Sequence, residues 1–354
     1  MAWYADKLIA PAGGDYTKLG DFEAAYDGID ISGTDGVRAR VKGVIVDAAN
    51  VYWAGWQAGM DVDTRIVVEA ESGSECDGTD ATGDDALLAQ MNLLNESTQI
   101  FNIDFKNLDM GPAGSGMGYF PDGTSSEVRI IKCLFRDIYQ AVRALACTTL
   151  NLYIGGCLFK DISGVGNYDQ AFQIGDADAT VVVINTTVAK VAWKGINQTA
   201  GSMTIKNVAV ATGATDISGT VTESNTLSED DGQLTLTDAD DFTAPSTDDY
   251  TVYSGGGSAL DGAGAVIADA WFTSLCPTDF AGTAWANPPS VGCFELAGAP
   301  PAGDTRGGGS RAPVFINSMI VGYLWPVTGF IHKLFNNPVW SKREWLKRLL
   351  RLFY

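Results

Sequence analysis

Short runs of apolar residues, broken by single polar residues and closed by turn formers, recur along the middle of the chain. The phrases are Ile103-Asp104-Phe105-Lys106-Asn107-Leu108, Lys132-Cys133-Leu134-Phe135-Arg136-Asp137-Ile138 and Gly156-Cys157-Leu158-Phe159-Lys160-Asp161-Ile162. Two diverged copies follow at Asn185–Val191 and Asn207–Thr212. The apolar anchors Phe105, Phe135, Phe159, Val188 and Val210 stand 30, 24, 29 and 22 residues apart. That period, with strands of four to six residues between Gly/Asn/Asp turns, fits one coil of a parallel β-helix and is too short for a propeller blade. Val128–Ile131, Leu150–Ile154 and Val181–Ile184 precede the phrases, and their β-branched content suits parallel strands facing a packed interior. Val37–Val46 and Arg65–Ala70 read as earlier coils.

Only Asp85–Asn95 (DALLAQMNLLN) shows a clear helical period before the C-terminal region. An open solenoid end exposes strand edges, so a cap is expected, from Leu88–Asn95 or from Trp53–Trp56. The expected organisation is a solenoid over residues 1–222 and a closing unit of the β-helix over 223–298. A Pro/Gly-rich linker over 299–310 (APPAGDTRGGGS) and a basic tail over 311–354 follow.

Charge sharpens that division. The whole chain carries −20, but eight Lys/Arg against two acids from Gly303 onward give +6 there and leave −26 for residues 1–302. So acidic a body argues against a nucleic-acid surface. In the tail, Ser341 is a plausible N-cap, and Trp345, Leu346, Leu349, Leu350 and Phe353 recur at helical spacing beside a stripe of Arg343, Lys347 and Arg351. Such a basic amphipathic helix, with Trp340 just before it, docks on a protein partner or lies on an anionic membrane. Residues 314–331 are uncharged, but Asn317, Gly322, Pro326 and Gly329 weaken a membrane span, and partner docking is the preferred reading.

A single histidine, His332, lies in the tail, which removes imidazole catalysis from the body. The six cysteines show no metal-binding spacing and read as reduced core residues, with Cys276 and Cys293 a candidate pair. The first residues lack a basic stretch followed by an apolar one, so no secretory signal is expected.

Gly13-Gly14-Asp15-Tyr16-Thr17-Lys18-Leu19 with Phe22-Glu23-Ala24-Ala25 resembles the opening phrase of right-handed β-helix proteins of the pectate-lyase-like superfamily. Tyr253–Gly264 and Pro289–Glu295 resemble the closing phrase of such chains, with Ser290 standing where the family has Asp. The resemblance spans roughly residues 10–296. It implies an all-β fold, a right-handed parallel β-helix solenoid, to which the residues after the linker add a C-terminal helical anchoring tail. The superfamily includes polysaccharide lyases and hydrolases, adhesins, and virion proteins such as tailspikes and head-surface proteins, so it does not fix the activity.

Aligning the phrases superposes Asn107, Asp137, Asp161 and Lys190. Asp137 and Asp161, on coils about 4.8 Å apart, are the candidate catalytic carboxylates; the competing reading is a polar ladder whose charges are balanced by Arg136 and Lys190. Trp53 and Trp56 are the candidate glycan-stacking residues, against a role in packing a cap. No metal or cofactor is expected. The expected function is structural: a phage virion protein, decorating the head or forming part of a tail fibre or spike. It would be held to other virion proteins through residues 311–354 and assembled as a homo-oligomer, with a trimer favoured by symmetry. A carbohydrate-active enzyme and a glycan-binding adhesin are the alternatives.

Overall fold

The computed structural model describes residues 2–31, 33–47, 51–53, 64–76, 86–89, 93–95, 101–111, 117–163, 169–212, 214–230, 241–254 and 257–296. The chain divides into two units, 1–303 and 304–354, and the second lies outside the described residues, as do the linker and the basic tail.

The first unit is a parallel β-solenoid with three faces. Rungs of the first face are Ala5–Ile9, Gly36–Val41, Arg65–Ala70, Phe101–Lys106, the second half of Met117–Ile131, Ala146–Gly155, Ala179–Ile184, Ser202–Lys206 and Thr222–Ser224. The second face runs from Val44–Val46 through Leu134–Arg136, Leu158–Lys160 and Thr187–Ala189 to Leu227–Ser228. The third includes Val51–Tyr52, Leu93–Asn95, Gln140–Ala144, Gln170–Ile174, Lys194–Gln198 and Thr215–Ser218. Pairing between rungs is parallel and in register, so like side chains stack along the axis.

Those stacks are the core. On the first face Ile66, Ile103, Val128, Leu152, Val181 and Met203 form one buried column, and Val68, Phe105, Ile130, Ile154, Val183 and Ile205 another. On the second face Met110, Phe135, Phe159, Val188 and Val210 stack in turn. Phe105 therefore belongs to a different ladder from the other four anchors, and Met110 takes its expected place. The phrases around Phe105 and Phe135 look alike because each ends in a polar residue at a left-handed corner, but the two corners are different edges of the prism. Asn107 turns the first face into the second, together with Lys132, Gly156, Asn185, Asn207 and Asn225, all at positive φ. Asp137, Asp161 and Lys190 turn the second face into the third.

The helix expected over Asp85–Asn95 is replaced by two strands, Leu87–Ala89 and Leu93–Asn95. Leu87 pairs with Val44 and Leu93 with Val51. Paired leucines satisfy both periods locally, and the waiting strand edges of the previous coil decide for the strand. Trp53, from one of the expected caps, lies inside the column instead, fully buried, with its ring 6.4 Å from that of Phe105, and residues 54–56 lie outside the described residues. A helix over Leu19–Tyr26, inside the opening phrase, instead places Leu19, Phe22 and Tyr26 against Ile9 and Ile31 in the core.

Residues 241–296 form a strap over the outer side of the second face. Leu134, Leu158, Ala209 and Leu227 point out from that face and pack with Phe242, Tyr250, Leu260, Phe280, Val291 and Phe294. Gly292 N donates to Asn207 O at 2.9 Å, and Cys293 N donates to Thr187 Oγ1 at 3.0 Å. A short helix, Ala270–Leu275, sets Phe272 and Cys276 against Ile131 and Ile184. All six cysteines are buried and none is in a disulfide, so Cys276 and Cys293 do not pair. Burial pushes the Cys276 thiol up to about 12 and raises that of Cys293 as well.

Candidate functional site

The carboxylates singled out by the sequence sit together at the second corner. Arg136 pairs with Lys160 across neighbouring rungs, which puts Asp137 and Asp161, each one residue later, on consecutive coils. A left-handed backbone suits aspartate, whose short side chain tolerates that region better than most. Asp137 is exposed and takes a hydrogen bond from Arg136 NH1 at 3.0 Å, while the buried end of the same guanidinium reaches Asp109 at 2.9 Å. Arg136 thus ties an exposed corner to a carboxylate sealed inside the fold.

Asp161 has a different setting. Lys190, the corner residue of the next coil, stands 3.8 Å from it and also binds Asp248 of the strap. Burial, and then the charge of Asp248, raises the Asp161 pKa against the pull of Lys190. Burial opposes the Lys190 ammonium, but its hydrogen bond to Asp248 and the charge of Asp161 outweigh it and hold Lys190 above an ordinary lysine. The corner thereby clamps strap to solenoid through one ammonium between two carboxylates. Among the described residues, no group of three His, Cys, Asp or Glu side chains surrounds a point where a metal ion would sit.

A ladder that the repeat search missed lies on the adjoining third face. Gln140 Nε2 donates to Gln173 Oε1 of the next coil at 2.7 Å, and Asn197 Nδ2 donates to Gln170 Oε1 of the coil before at 2.8 Å. Lys194 Nζ reaches Ser218 Oγ of the following coil at 3.1 Å. Each link joins the first position of one rung to the fourth of the next. The half-buried Trp193 flanks this strip, its ring centroid 4.8 Å from Lys194 Nζ. The signal was present as Gln140-Ala141-Val142-Arg143 and Gln170-Ala171-Phe172-Gln173, a repeat of amides rather than of apolar anchors.

Of the glycan-stacking candidates, Trp53 offers no ring face to solvent and is corrected to a core residue. Trp56 lies outside the described residues. So do Trp340, Arg343, Trp345, Leu346, Lys347, Leu349, Leu350, Arg351 and Phe353. Among the described residues no helix is long and apolar enough to cross a membrane. Ser290, which departs from the closing phrase, donates its hydroxyl to Glu295 Oε1 at 2.6 Å, and its backbone N–H donates to the same oxygen at 2.9 Å. An aspartate there would set two carboxylates against each other, so the serine suits this strap.

No protein-family model, curated protein or solved structure matches the chain.

Proposed function

We propose that this chain is a structural virion protein, a right-handed parallel β-helix of the pectate-lyase-like kind that serves as a head decoration or as part of a tail fibre or spike. The observation that carries the reading is the use made of the corner charges. Asp137 is bound to its neighbour Arg136, and Asp161 and Asp248 share Lys190, which joins coil to coil and strap to column. A hydrolase or lyase needs carboxylates free to face a substrate. Right-handedness follows the strong preference of parallel crossover connections. Residues 311–354, with their apolar stripe of Trp345, Leu346, Leu349, Leu350 and Phe353 and their cations, hold the protein to its particle, and identical columns associate as a homo-oligomer.

Light scattering on the full chain and on the chain cut at Gly309, with and without anionic liposomes, tests the proposal. A defined oligomer that loses its association on truncation, with no lipid binding by either, supports it. Full-length protein that coats liposomes while the truncation does not would replace particle anchoring by membrane anchoring. The rim of the amide ladder favours a second reading, a glycan-binding adhesin, because the half-buried Gln173 and Lys194 beside the Trp193 indole can take sugar hydroxyls and a ring face. Binding on a glycan array that is lost in Gln173→Ala or Lys194→Ala, without any product release, would select it.

A further inference from the structure

Where the strap crosses the first corner it encloses a cleft of about 350 Å3, within the range of small-molecule sites. Its floor is Asn185, Phe272, Cys276 and Pro289, all buried, with Trp285 on one wall and the exposed Val266 at the mouth. No residue that lines it carries a charge. The Trp285 indole is fixed by its own N–H, which donates to Cys276 O at 2.9 Å, and its ring stands 6.1 Å from that of Phe272 at 40°.

One polar atom of the floor is left over. Ala265 holds the Asn207 amide at both ends, its N–H donating to Oδ1 at 2.8 Å and its carbonyl accepting from Nδ2 at 2.7 Å. That fixes which end of Asn207 is the donor. Asn207 Nδ2 also donates to Asn185 Oδ1 at 2.9 Å, which in turn fixes the orientation of Asn185. Asn185 is 1% exposed, and its Nδ2 has no hydrogen-bond partner among the described residues. This amide donor is therefore left to the solvent of the cleft, whose other polar side chains are Thr273 and Asn287.

We propose that this cleft binds a neutral ring bearing an oxygen at its far end, the chemistry of a phenol. The ring lies against Trp285 and Phe272, and the oxygen accepts the hydrogen bond from Asn185 Nδ2. A carboxylate ligand would meet no cation here. A plain hydrocarbon that displaces water from the cleft leaves the Asn185 donor unsatisfied.

Ligand-observed NMR on the full chain with p-cresol, toluene and N-acetylglucosamine decides the matter. The expected result is p-cresol bound about fivefold more tightly than toluene, as one hydrogen bond supplies, with no binding of the sugar. In Asn185→Gly, which keeps the left-handed corner accessible, p-cresol falls to the level of toluene. In Ala286→Phe, which fills the cleft from its lining, both are lost. N-acetyl-tyrosinamide binding alongside p-cresol identifies the occupant as a tyrosine side chain, and p-cresol alone identifies a free phenol. Equal binding of p-cresol and toluene, preference for the sugar, or p-cresol binding unchanged in Ala286→Phe would each overturn the proposal. If Asn185→Gly does not fold, the comparison of p-cresol with toluene on the unaltered chain still decides.

Discussion

Asp161 illustrates how a single position differs from its appearance in the sequence. The coil phrase makes it the equal of Asp137, yet Asp137 is exposed beside Arg136 while Asp161 is half-buried among Asp248, Lys160 and Lys190. The strap, hundreds of atoms that no local pattern links to the phrase, makes that difference. Because the folded pKa of Asp161 lies above its unfolded value, the folded state binds this proton more tightly. Its contribution to stability is fullest below the unfolded value and declines as pH rises through the folded one. Asp161→Asn removes that dependence, so the variant gains on the parent at neutral pH, by at most about 1 kcal/mol, and the gain vanishes in acid. Urea midpoints of the two proteins across the acid range, taken as a difference, measure it; a variant that is less stable at neutral pH would show that the Lys190 pairing outweighs burial. The first corner gives a second contrast. Lys132 and Gly156 occupy equivalent left-handed positions on adjacent rungs, φ 51 and 62. Lys132→Asn eases a conformation that lysine tolerates poorly and is expected to raise stability by about 0.5 kcal/mol. Gly156→Ala places a Cβ 2.6 Å from Cys276 Sγ and is expected to cost about 1–3 kcal/mol. Thermal melts of both variants check the opposite signs.

At the scale of elements, alternation and β-branched content exposed the rungs, because each strand buries one side against a column that has the same residues above and below. Those signals are local and survive in the sequence. The ladder misaligned at Phe105 failed because a corner residue at positive φ resets the face, and Asn107 and Asp137 look interchangeable until the coils are stacked. The amide ladder escaped because its periodicity resides in polar residues, whereas the search followed apolar ones. Phe159 is where the element-level packing concentrates. Its ring lies 4.7 Å from that of Phe135 at 9° and 4.6 Å from that of Phe172, so it links two rungs of the second face and crosses to the third. Phe159→Ala is expected to cost about 3–5 kcal/mol, since stacked rungs above and below hinder collapse of the cavity. Val188, one rung on, is smaller and lacks a described ring partner, so Val188→Ala is expected to cost less. Denaturant titrations of the two variants compare them directly, and equal losses would mean that the aromatic stack adds nothing beyond buried area.

For the whole molecule, composition marked the Pro/Gly-rich boundary, but it did not reveal what residues 241–296 do. Within the closing unit expected over 223–298, the described residues from 241 on lie alongside the coils, on the outer side of the second face. The reason is legible after the fact: Leu134 with Phe135 and Leu158 with Phe159 put apolar side chains on both sides of their short strands, and a face apolar on both sides needs a cover. Phe242, Tyr250, Leu260, Phe280 and Phe294 supply it, and Lys190 with Asp248 pins one edge. Two truncations therefore differ sharply. Ending the chain at Gly309 keeps the strap whole and is expected to leave a soluble protein with the same far-ultraviolet spectrum and melting temperature. Ending it at Asp240 strips the cover from the second face and breaks the Cys293–Thr187 and Gly292–Asn207 links, so the product is expected to aggregate. Sedimentation and circular dichroism of the two fragments separate the cases. A soluble, cooperatively melting product ending at Asp240 would show that the rungs hold without their cover and that the apolar outer face serves another partner.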